Sequence, residues 1–420
     1  MFPTYAAALE HLNRATDYER QAARYSPETY NLNRMRRLVD ALGHPERGFK
    51  SLHIAGTKGK GSVAIMTEAI LRRAGYRTGL YTSPHLVDML ERIQVDGRNI
   101  SERDFVWAMN RMERALRRLE PTYFEIMTAA AFLLFAKRRV DYGVIEVGLG
   151  GRLDATNVLT PVACAITRID YDHMDKLGRT LGSIAREKAG ILKPGVPVVS
   201  ARQRPAAMRE IRRRAAPFIP TVWTSQGAGA VVKFKVEGVG GKAIRCVLPA
   251  LGRHQAENAA VAIALAEASG AEVTSEEVRD ALRHVRLPGR IEIVSRRPWI
   301  IVDAAHNPVS AKALAAAIRS APPRRRTILI FGASADKKYE TMLRTLQPLA
   351  DLTIFTRAQS PRATPPETLT RLARGLAVRT RSVPEALALA RTLARPEDAI
   401  VVAGSFYVAG EALQSLSRTT

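Results

Sequence analysis

Short runs of apolar residues alternate with longer amphipathic stretches in the first half of the chain. The runs Ser51–Ala55, Thr78–Thr82, Tyr142–Val147 and Val162–Thr167 predict strands, and the periodic stretch Val63–Arg73 predicts a helix between the first two. A glycine-rich loop separates the first strand from this helix. Strand, glycine loop, helix and strand form the βαβ pattern that is typical of nucleotide-binding α/β sheets.

The pattern restarts in the last third of the chain, after the turn-forming LPGR segment Leu287–Arg290. The elements predicted there are the strand Trp299–Val302, the helix Ser310–Arg319 and the strands Thr327–Phe331, Leu352–Phe355 and Ala399–Ala403. This alternation predicts a smaller, Rossmann-like α/β domain. We therefore expect an α/β protein with two domains, residues 1–296 and 297–420.

Composition excludes several classes of protein. The chain has 420 residues, of which 46% are hydrophobic and 25% charged, as in ordinary globular enzymes. Two cysteines are too few for a disulfide framework, which favours a reducing compartment. The longest apolar run, Ile126–Ala136, is about half of the ~20 residues that span a membrane, and the N-terminus lacks the features of a signal peptide. We expect a cytoplasmic protein without a membrane partner.

The net charge of +24 raises the alternative of a nucleic-acid-binding module. However, the basic residues are scattered, and short clusters such as Arg212–Arg214 and Arg324–Arg326 are not interleaved with aromatic residues. A diffuse positive field also attracts small polyanionic substrates. We therefore expect no specific nucleic-acid partner, although steep salt-dependent binding of DNA or RNA would favour that alternative.

The glycine-rich loop has the features of a phosphate-binding loop. It reads Gly56-Thr57-Lys58-Gly59-Lys60-Gly61-Ser62. Glycines let backbone N–H groups turn inward, and the following helix N-terminus favours an anion. Lys60 is expected to reach the β- and γ-phosphates of ATP, and the Ser62 hydroxyl to bind the accompanying Mg²⁺. Gly61 separates these two residues, which departs from the ordinary Walker pattern.

That departure resembles the loop of folylpolyglutamate synthases and dihydrofolate synthases, within the Mur ligase superfamily. Other segments similar to this family follow in order over about 350 residues. They are TSPHL at 82–86, TYFE at 122–125, EVGLGGRLDATN at 146–157, DH at 172–173, EKAGI at 187–191, HQ at 254–255 with Asn258, LPGR at 287–290, DAAHNP at 303–308 and GSF at 404–406.

The resemblance implies a phosphate-loop ATPase domain of Mur-ligase type followed by a glutamate ligase domain. It further implies an ATP- and Mg²⁺-dependent ligase that adds L-glutamate to the γ-carboxylate of a folate. The carboxylate of dihydropteroate is expected to react in the same way, giving dihydrofolate. Each reaction passes through an acyl phosphate and releases ADP and phosphate. A monomer is expected.

The resemblance also implies roles for individual residues. Metal ligands would be Ser62, Ser83, Glu146, His173 and a Lys188 carboxylated by CO₂, which together would hold two Mg²⁺ ions. Residues at the reaction centre would be Lys60, Lys188, Asp303 and His306. Asn258 would contact adenine, Arg290 the phosphates, and Asp303 the nucleotide. Substrate-binding residues would be Thr122, Tyr123, Phe124, Glu125, Arg152, Leu153, Asp154 and Ala155.

One position departs from a pattern common in bacterial members of the family. Where many have His-Thr-Asp-Trp-Leu-Gly, this chain has His173-Met174-Asp175-Lys176-Leu177-Gly178. The potential metal ligand His173 is kept, but a lysine replaces the tryptophan. A further alternative, a Mur-type ligase acting on a UDP-sugar, is expected to carry an additional uridine-binding domain before the phosphate loop.

Overall fold

The computed structural model describes residues 1–18, 26, 29–30, 32–215, 217–226, 232–237, 243–321 and 324–417. The strands in this part of the chain are β1 Lys50–Ala55, β2 Thr78–Tyr81, β3 Ile93–Val95, β4 Arg98–Asn99, β5 Tyr142–Glu146, β6 Ala163–Ile166, β7 Val198–Ser200, β8 Phe218–Pro220, β9 Val222–Gln226, β10 Val232–Glu237, β11 Ala243–Leu248, β12 Glu292–Arg296, β13 Trp299–Val302, β14 Thr327–Phe331, β15 Leu352–Phe355, β16 Ala377–Arg379 and β17 Ala399–Ala403.

The α-helices of the described residues alternate with these strands. They are α1 Tyr5–Arg14, α2 Leu32–Ala41, α3 Lys60–Arg73, α4 Glu102–Leu119, α5 Tyr123–Arg138, α6 Met174–Leu177, α7 Leu181–Lys188, α8 Pro205–Arg212, α9 His254–Ala268, α10 Ser275–His284, α11 Pro308–Ser320, α12 Tyr339–Leu346, α13 Pro366–Thr370, α14 Val383–Leu393 and α15 Phe406–Ser417. Among these helices, none is both long and apolar enough to cross a membrane.

The first sheet has eight strands in the order β4-β3-β2-β5-β1-β6-β7-β8. From β2 to β8 the pairings are parallel, whereas β3 and β4 are antiparallel additions at one edge. Every residue of β2, β5 and β6 is buried, because helices cover both faces of the parallel strands. All four central strands β2, β5, β1 and β6 therefore end at the same edge of the sheet.

Helix α9 packs in the interior between this sheet and a smaller one. Its residues from Gln255 to Ala266 are all buried, and they join one hydrophobic core with α3 and the central strands. The same core includes Val232, Phe234 and Cys246 of the antiparallel sheet β11-β10-β9. A helix that is apolar on all sides is stable only when it is covered in this way.

The last sheet has the order β12-β13-β17-β14-β15-β16. Its strands are parallel except β12, which pairs antiparallel with β13. The apolar runs in the sequence predicted β13, β14, β15 and β17 of this sheet but not its edge strands β12 and β16. Because β12 already belongs to this sheet, we propose that the second domain begins near Glu292 rather than at residue 297. The exact boundary between the two domains stays a prediction.

The two sheets are connected by a close contact between their domains. Leu86, in the loop after β2, packs against the hydrophobic core beneath α15. Gly410 of α15 is buried, and a Cβ placed there would overlap the carbonyl oxygen of Leu86. The side chain of Leu86 also approaches Gly289, within 3.0 Å of the position that a Cβ would occupy. Glycines at positions 289 and 410 therefore allow this loop to lie between the domains.

We predict that Gly410→Ala destabilises the protein although alanine is the better helix former. Overpacking of a closed contact costs about 1–3 kcal/mol, which exceeds the ~1 kcal/mol that alanine contributes in a helix. Differential scanning calorimetry should show a lower Tm. The matched control is Gly182→Ala in α7, where the nearest atom to the new Cβ is 3.9 Å away. Equal Tm values for the two variants would contradict the assigned contact.

Candidate active site

A large cleft lies where the carboxyl ends of the two parallel sheets face each other. Its volume is about 1140 Å³. The loops after β1, β2, β5 and β6 line it from one side, and the loops after β13, β14, β15 and β17 line it from the other. Since open α/β sheets bind ligands at the carboxyl ends of their strands, the cleft is the candidate active site.

Most residues that the sequence singled out line this cleft. They are Thr57, Lys58, Gly59, Lys60, Gly61, Ser62, Ser83, Thr122, Tyr123, Phe124, Glu125, Glu146, Leu153, Asp154, Ala155, His173, Asn258, Arg290, Asp303 and His306. Three others, Gly56, Arg152 and Lys188, are not part of its lining. The Arg152 guanidinium instead donates to Glu187, at 3.0 Å, outside the cleft.

Two glycines of the phosphate loop permit close contacts. Gly59 has a φ of 90°, and a Cβ there would overlap the side-chain oxygen of Asn258. A Cβ at Gly61 would overlap a terminal nitrogen of Arg290, so the guanidinium lies directly on the first turn of α3. The extra glycine between Lys60 and Ser62 therefore has a steric reason: it accommodates the arginine that precedes the second domain.

An ion pair joins the phosphate loop to the loop after β6. Lys58 Nζ lies 2.8 Å from Asp172 Oδ2. Burial would raise the pKa of Asp172, but Lys58, through its charge and hydrogen bond, together with His173 and His306, outweighs burial and lowers this pKa. The carboxylate therefore stays charged at neutral pH, and the pair holds the neighbouring His173 beside the loop.

The potential metal ligands Ser83 and Glu146 are in direct contact. The Ser83 backbone N–H donates to Glu146 Oε2 at 3.0 Å, at the ends of β2 and β5. Burial raises the pKa of Glu146, opposed by the charges of Lys60 and Arg290. Within the described residues, no cluster of three His, Cys, Asp or Glu side chains could hold a metal. A cation here would therefore depend on hydroxyl groups and substrate oxygens as well.

His173 is a neutral imidazole at physiological pH. The cleft walls remove solvent from its ring and lower its pKa to about 4, with a further contribution from nearby lysines. A neutral imidazole can act as a metal ligand. Its backbone is in the left-handed region, with φ 47°, at the residue before α6.

Lys188 lies buried behind the phosphate loop rather than on the helix surface. Its Nζ donates to the carbonyl oxygen of Gly56 at 2.8 Å, and only 4% of the residue is exposed. Burial, followed by the charge of Lys60, lowers its pKa to about 7. About half of the amine is therefore neutral at pH 7, which is the form that reacts with CO₂.

The Glu125 carboxylate lines the cleft but makes its hydrogen bonds within the protein. Its Oε2 accepts from the Thr122 backbone N–H at 2.7 Å and from Arg34 Nε at 2.7 Å. Together with the Thr122 side chain it forms a capping box at the start of α5. The cap fixes the intervening Phe124, whose ring covers Gly148 so closely that a Cβ there would overlap it.

Asp154 has a comparable internal role. Its Oδ2 accepts from the Leu149 backbone N–H at 2.8 Å, and its Oδ1 accepts from that of Thr156 at 3.0 Å. Burial raises its pKa, while these hydrogen bonds act in the opposite direction. Asp154 therefore shapes the loop after β5, next to the cleft-lining Leu153 and Ala155.

Asp303 supports the junction between the sheets. One carboxylate oxygen accepts from the Ile291 N–H at 2.8 Å and the other from the Ala305 N–H at 2.9 Å. Burial raises its pKa to about 6. His306 Nδ1 lies 3.0 Å from the Ala304 carbonyl, so Nδ1 carries the proton. Burial lowers the pKa of His306 to about 4, which keeps this ring neutral at pH 7.

Several cleft residues were missed at the level of sequence. Among them are Arg34, Lys337 and Arg362, while Asp172 was noted within a motif but given no role. Lys337 and Arg362 follow β14 and β15, so the rule that ligands bind at the carboxyl ends of parallel strands could have indicated them. Arg34 precedes the first strand in a helix that carries no family motif, so no local signal marks it.

Comparison with known proteins agrees with this geometry. The Mur ligase middle domain matches residues 54–266, and the Mur ligase glutamate ligase domain matches residues 289–406. The dihydrofolate synthase/folylpolyglutamate synthase of Bacillus subtilis is 39% identical over 354 residues, covering 79% of this chain and 82% of that protein.

Solved structures match over nearly the full length. The Escherichia coli FolC structure in complex with DHPP and ADP has a TM-score of 0.88 and 30% identity, and the alignment covers 99% of both chains. The bifunctional folylpolyglutamate synthase/dihydrofolate synthase of Yersinia pestis, complexed with AMPPNP and a Mn ion, has a TM-score of 0.84 and 29% identity, covering 99% of this chain and 98% of that one. The chain therefore belongs to the dihydrofolate synthase/folylpolyglutamate synthase family of Mur ligases.

Proposed function

We propose that the protein is an ATP-dependent ligase that joins L-glutamate to the γ-carboxylate of a folate and to the carboxylate of dihydropteroate. A carboxylate has no good leaving group. The γ-phosphoryl group of ATP is transferred to it, the glutamate amine attacks the acyl carbon, and phosphate leaves as the amine loses a proton. The observation that carries this proposal is the convergence of the phosphate loop, Glu146 and Arg290 on one cleft between two sheets.

For ATP, we assign the phosphates to the loop between β1 and α3. The N-terminus of α3, Lys60 and Arg290 supply the positive charge that the phosphates require. Relatives of this chain have been solved with ADP or AMPPNP, which supports the assignment. Asn258 lies against Gly59 at the rim of the loop, where it can contact the base. Asp303 acts by positioning the segment that carries Arg290.

For the divalent ion, the side chains present suit Mg²⁺. The Ser62 and Ser83 hydroxyls and the Glu146 carboxylate offer hard oxygen atoms, and His173 is neutral. The Yersinia pestis relative was solved with a Mn ion, which supports a divalent metal. When bound, such an ion neutralises phosphate charge during transfer. That two ions bind is a further proposal, which depends on Lys188 gaining a carboxylate.

For the acceptor, we assign the flat heterocycle to the wall formed by Phe124 and the loop after β5. Phe124 is only partly buried and its position is fixed by the cap on α5. Leu153 and Ala155 supply apolar surface beside it. The E. coli relative in complex with DHPP supports an acceptor of this kind. We further propose that the protein acts as a cytoplasmic monomer.

We predict glutamate-dependent phosphate release from ATP with tetrahydrofolate and with dihydropteroate. Each acceptor should be assayed separately with Mg²⁺, because the same cleft is proposed to hold both. Release with tetrahydrofolate alone would restrict the protein to polyglutamylation. Folded, ATP-binding protein that releases no glutamate-dependent phosphate with either acceptor would contradict the proposed function.

Two variants serve as controls for that assay. Lys60→Ala and Glu146→Gln should each lower turnover at least about a hundredfold, because the first removes the cation that faces the transferred phosphoryl group and the second weakens the proposed Mg²⁺ site. Unchanged far-ultraviolet circular dichroism would show that the fold is kept. Near-normal rates in either variant would overturn its role.

We predict that Lys188 is carboxylated. The neutral amine gains a carboxyl group from CO₂ and releases a proton, so the modified fraction should rise as the pH rises through about 7. Protein equilibrated with ¹³C-bicarbonate should give a carbamate carbon signal that is absent from Lys188→Arg. The control is Lys193→Arg. Lys193 is half-buried too, but its ammonium donates to Asn157 rather than to the phosphate loop, so this substitution should leave the signal unchanged. No signal in the unsubstituted protein would contradict the prediction.

A further inference from the structure

Lys176 is a cation of the cleft that none of the roles above employs. It lies on α6, one helical turn after His173, and its side chain lines the cleft. Its Nζ donates to the Tyr30 hydroxyl at 3.4 Å, and within the described part of the chain it forms no salt bridge. Other cations of the cleft do form salt bridges: Lys58 with Asp172, and Arg34 with Glu125.

A second group of cations faces Lys176 from the other domain. Lys337 and Arg362 line the same cleft after β14 and β15, and both contact Asp336, at 3.0 and 2.7 Å. Burial lowers the pKa of Lys176, and the charge of the nearby Lys337 lowers it further, whereas Asp175 acts in the opposite direction. The cations Lys176, Lys337 and Arg362 therefore lie near two carboxylates, Asp175 and Asp336. This part of the cleft keeps one positive charge in excess.

Partly buried like charges favour an anionic ligand between them, because unpaired cations that have lost solvent are costly. The proposed acceptors differ in this respect. Dihydropteroate carries only the carboxylate that reacts. A folate also carries the α-carboxylate of its glutamate, whose carbon is four carbon–carbon bonds from that of the reacting γ-carboxylate.

The spacing on α6 fits that second carboxylate. His173 and Lys176 are close neighbours, because the Lys176 backbone N–H donates to the His173 carbonyl oxygen at 2.9 Å. Side chains that start this close to each other can contact the two carboxylates of one glutamyl group. With the γ-carboxylate beside Glu146 and His173, the α-carboxylate would extend toward Lys176. Tyr30 keeps the ammonium at this position through its hydroxyl.

We propose that Lys176 binds the α-carboxylate of the folate glutamyl chain, and so determines the preference for glutamylated acceptors over dihydropteroate. Lys337 completes this carboxylate site from the C-terminal domain. The proposal rests on the proposed ligase function, and it concerns only the ratio between acceptors. Turnover by the unsubstituted protein tests the function independently of this site.

The test is Lys176→Met, which keeps side-chain length and removes the charge. The KM for tetrahydrofolate should rise about tenfold, and that for tetrahydrofolyl diglutamate at least as much. The KM values for ATP and L-glutamate, and the Kd of dihydropteroate measured by calorimetry, should change less than twofold. Lys176→Arg should restore most of the affinity for tetrahydrofolate. The control is Lys235→Met, an exposed lysine on β10 outside the cleft.

Three results would overturn the proposal. An equal loss of affinity for tetrahydrofolate and dihydropteroate would show that Lys176 merely maintains the cleft. A rise in the KM for L-glutamate alone would place the cation at the incoming amino acid instead. Unchanged constants for all substrates would show that Lys176 binds none of them.

Discussion

The contact between Arg290 and Gly61 is the constraint on which the rest of the site depends. The guanidinium occupies the space where a side chain at position 61 would lie, so the positive charge of Arg290 lies directly against the first turn of α3. The next residue, Ile291, has a φ of 54°, which is unfavourable for a β-branched side chain. Asp303 accepts its N–H and stabilises that conformation. The position of the cation proposed to bind phosphate is therefore fixed by a residue at the carboxyl end of β13.

The protonation states of the cleft residues depend on the burial that the two sheets provide. Two histidines in the cleft, His173 and His306, are kept neutral, whereas Asp172 and Lys58 stay charged as a pair. Lys188 has its pKa lowered close to neutrality by the same burial that keeps it behind the loop. A site that binds several anionic substrates requires defined protonation states, because every unpaired charge in the site changes the free energy of binding the next substrate.

The sequence predicted much of this organisation. Strands β13, β14, β15 and β17 have the bounds that the apolar runs predicted, and the glycine loop lies between β1 and α3 as expected. Strands β12 and β16 were missed because both are partly exposed and lie at the edges of the sheet. The family motifs identified the residues that line the cleft, but they did not show what each side chain contacts. The spacing of Thr122 and Glu125 before an apolar run is the local signature of a capping box, whereas only the three-dimensional contacts show that Asp303 supports Ile291.

The long-range contacts explain what the sequence could not provide. Arg34 meets Glu125 across 91 positions, and Lys58 meets Asp172 across 114, so no local pattern links either pair. The reason for Gly61 is likewise remote, since the arginine that requires it follows more than two hundred residues later. Glycine positions in this fold are thus informative about the other domain as well as about their own loop.

The most direct test of this account is the affinity of Gly61→Ala for ADP, measured by isothermal titration calorimetry beside Gly182→Ala. Alanine at position 61 favours the helix, so the Tm should not fall, yet its Cβ displaces Arg290 from the phosphate site. We expect the Kd for ADP to rise at least about tenfold in Gly61→Ala and to stay unchanged in the control. An unchanged affinity in Gly61→Ala would show that the nucleotide site does not depend on this contact.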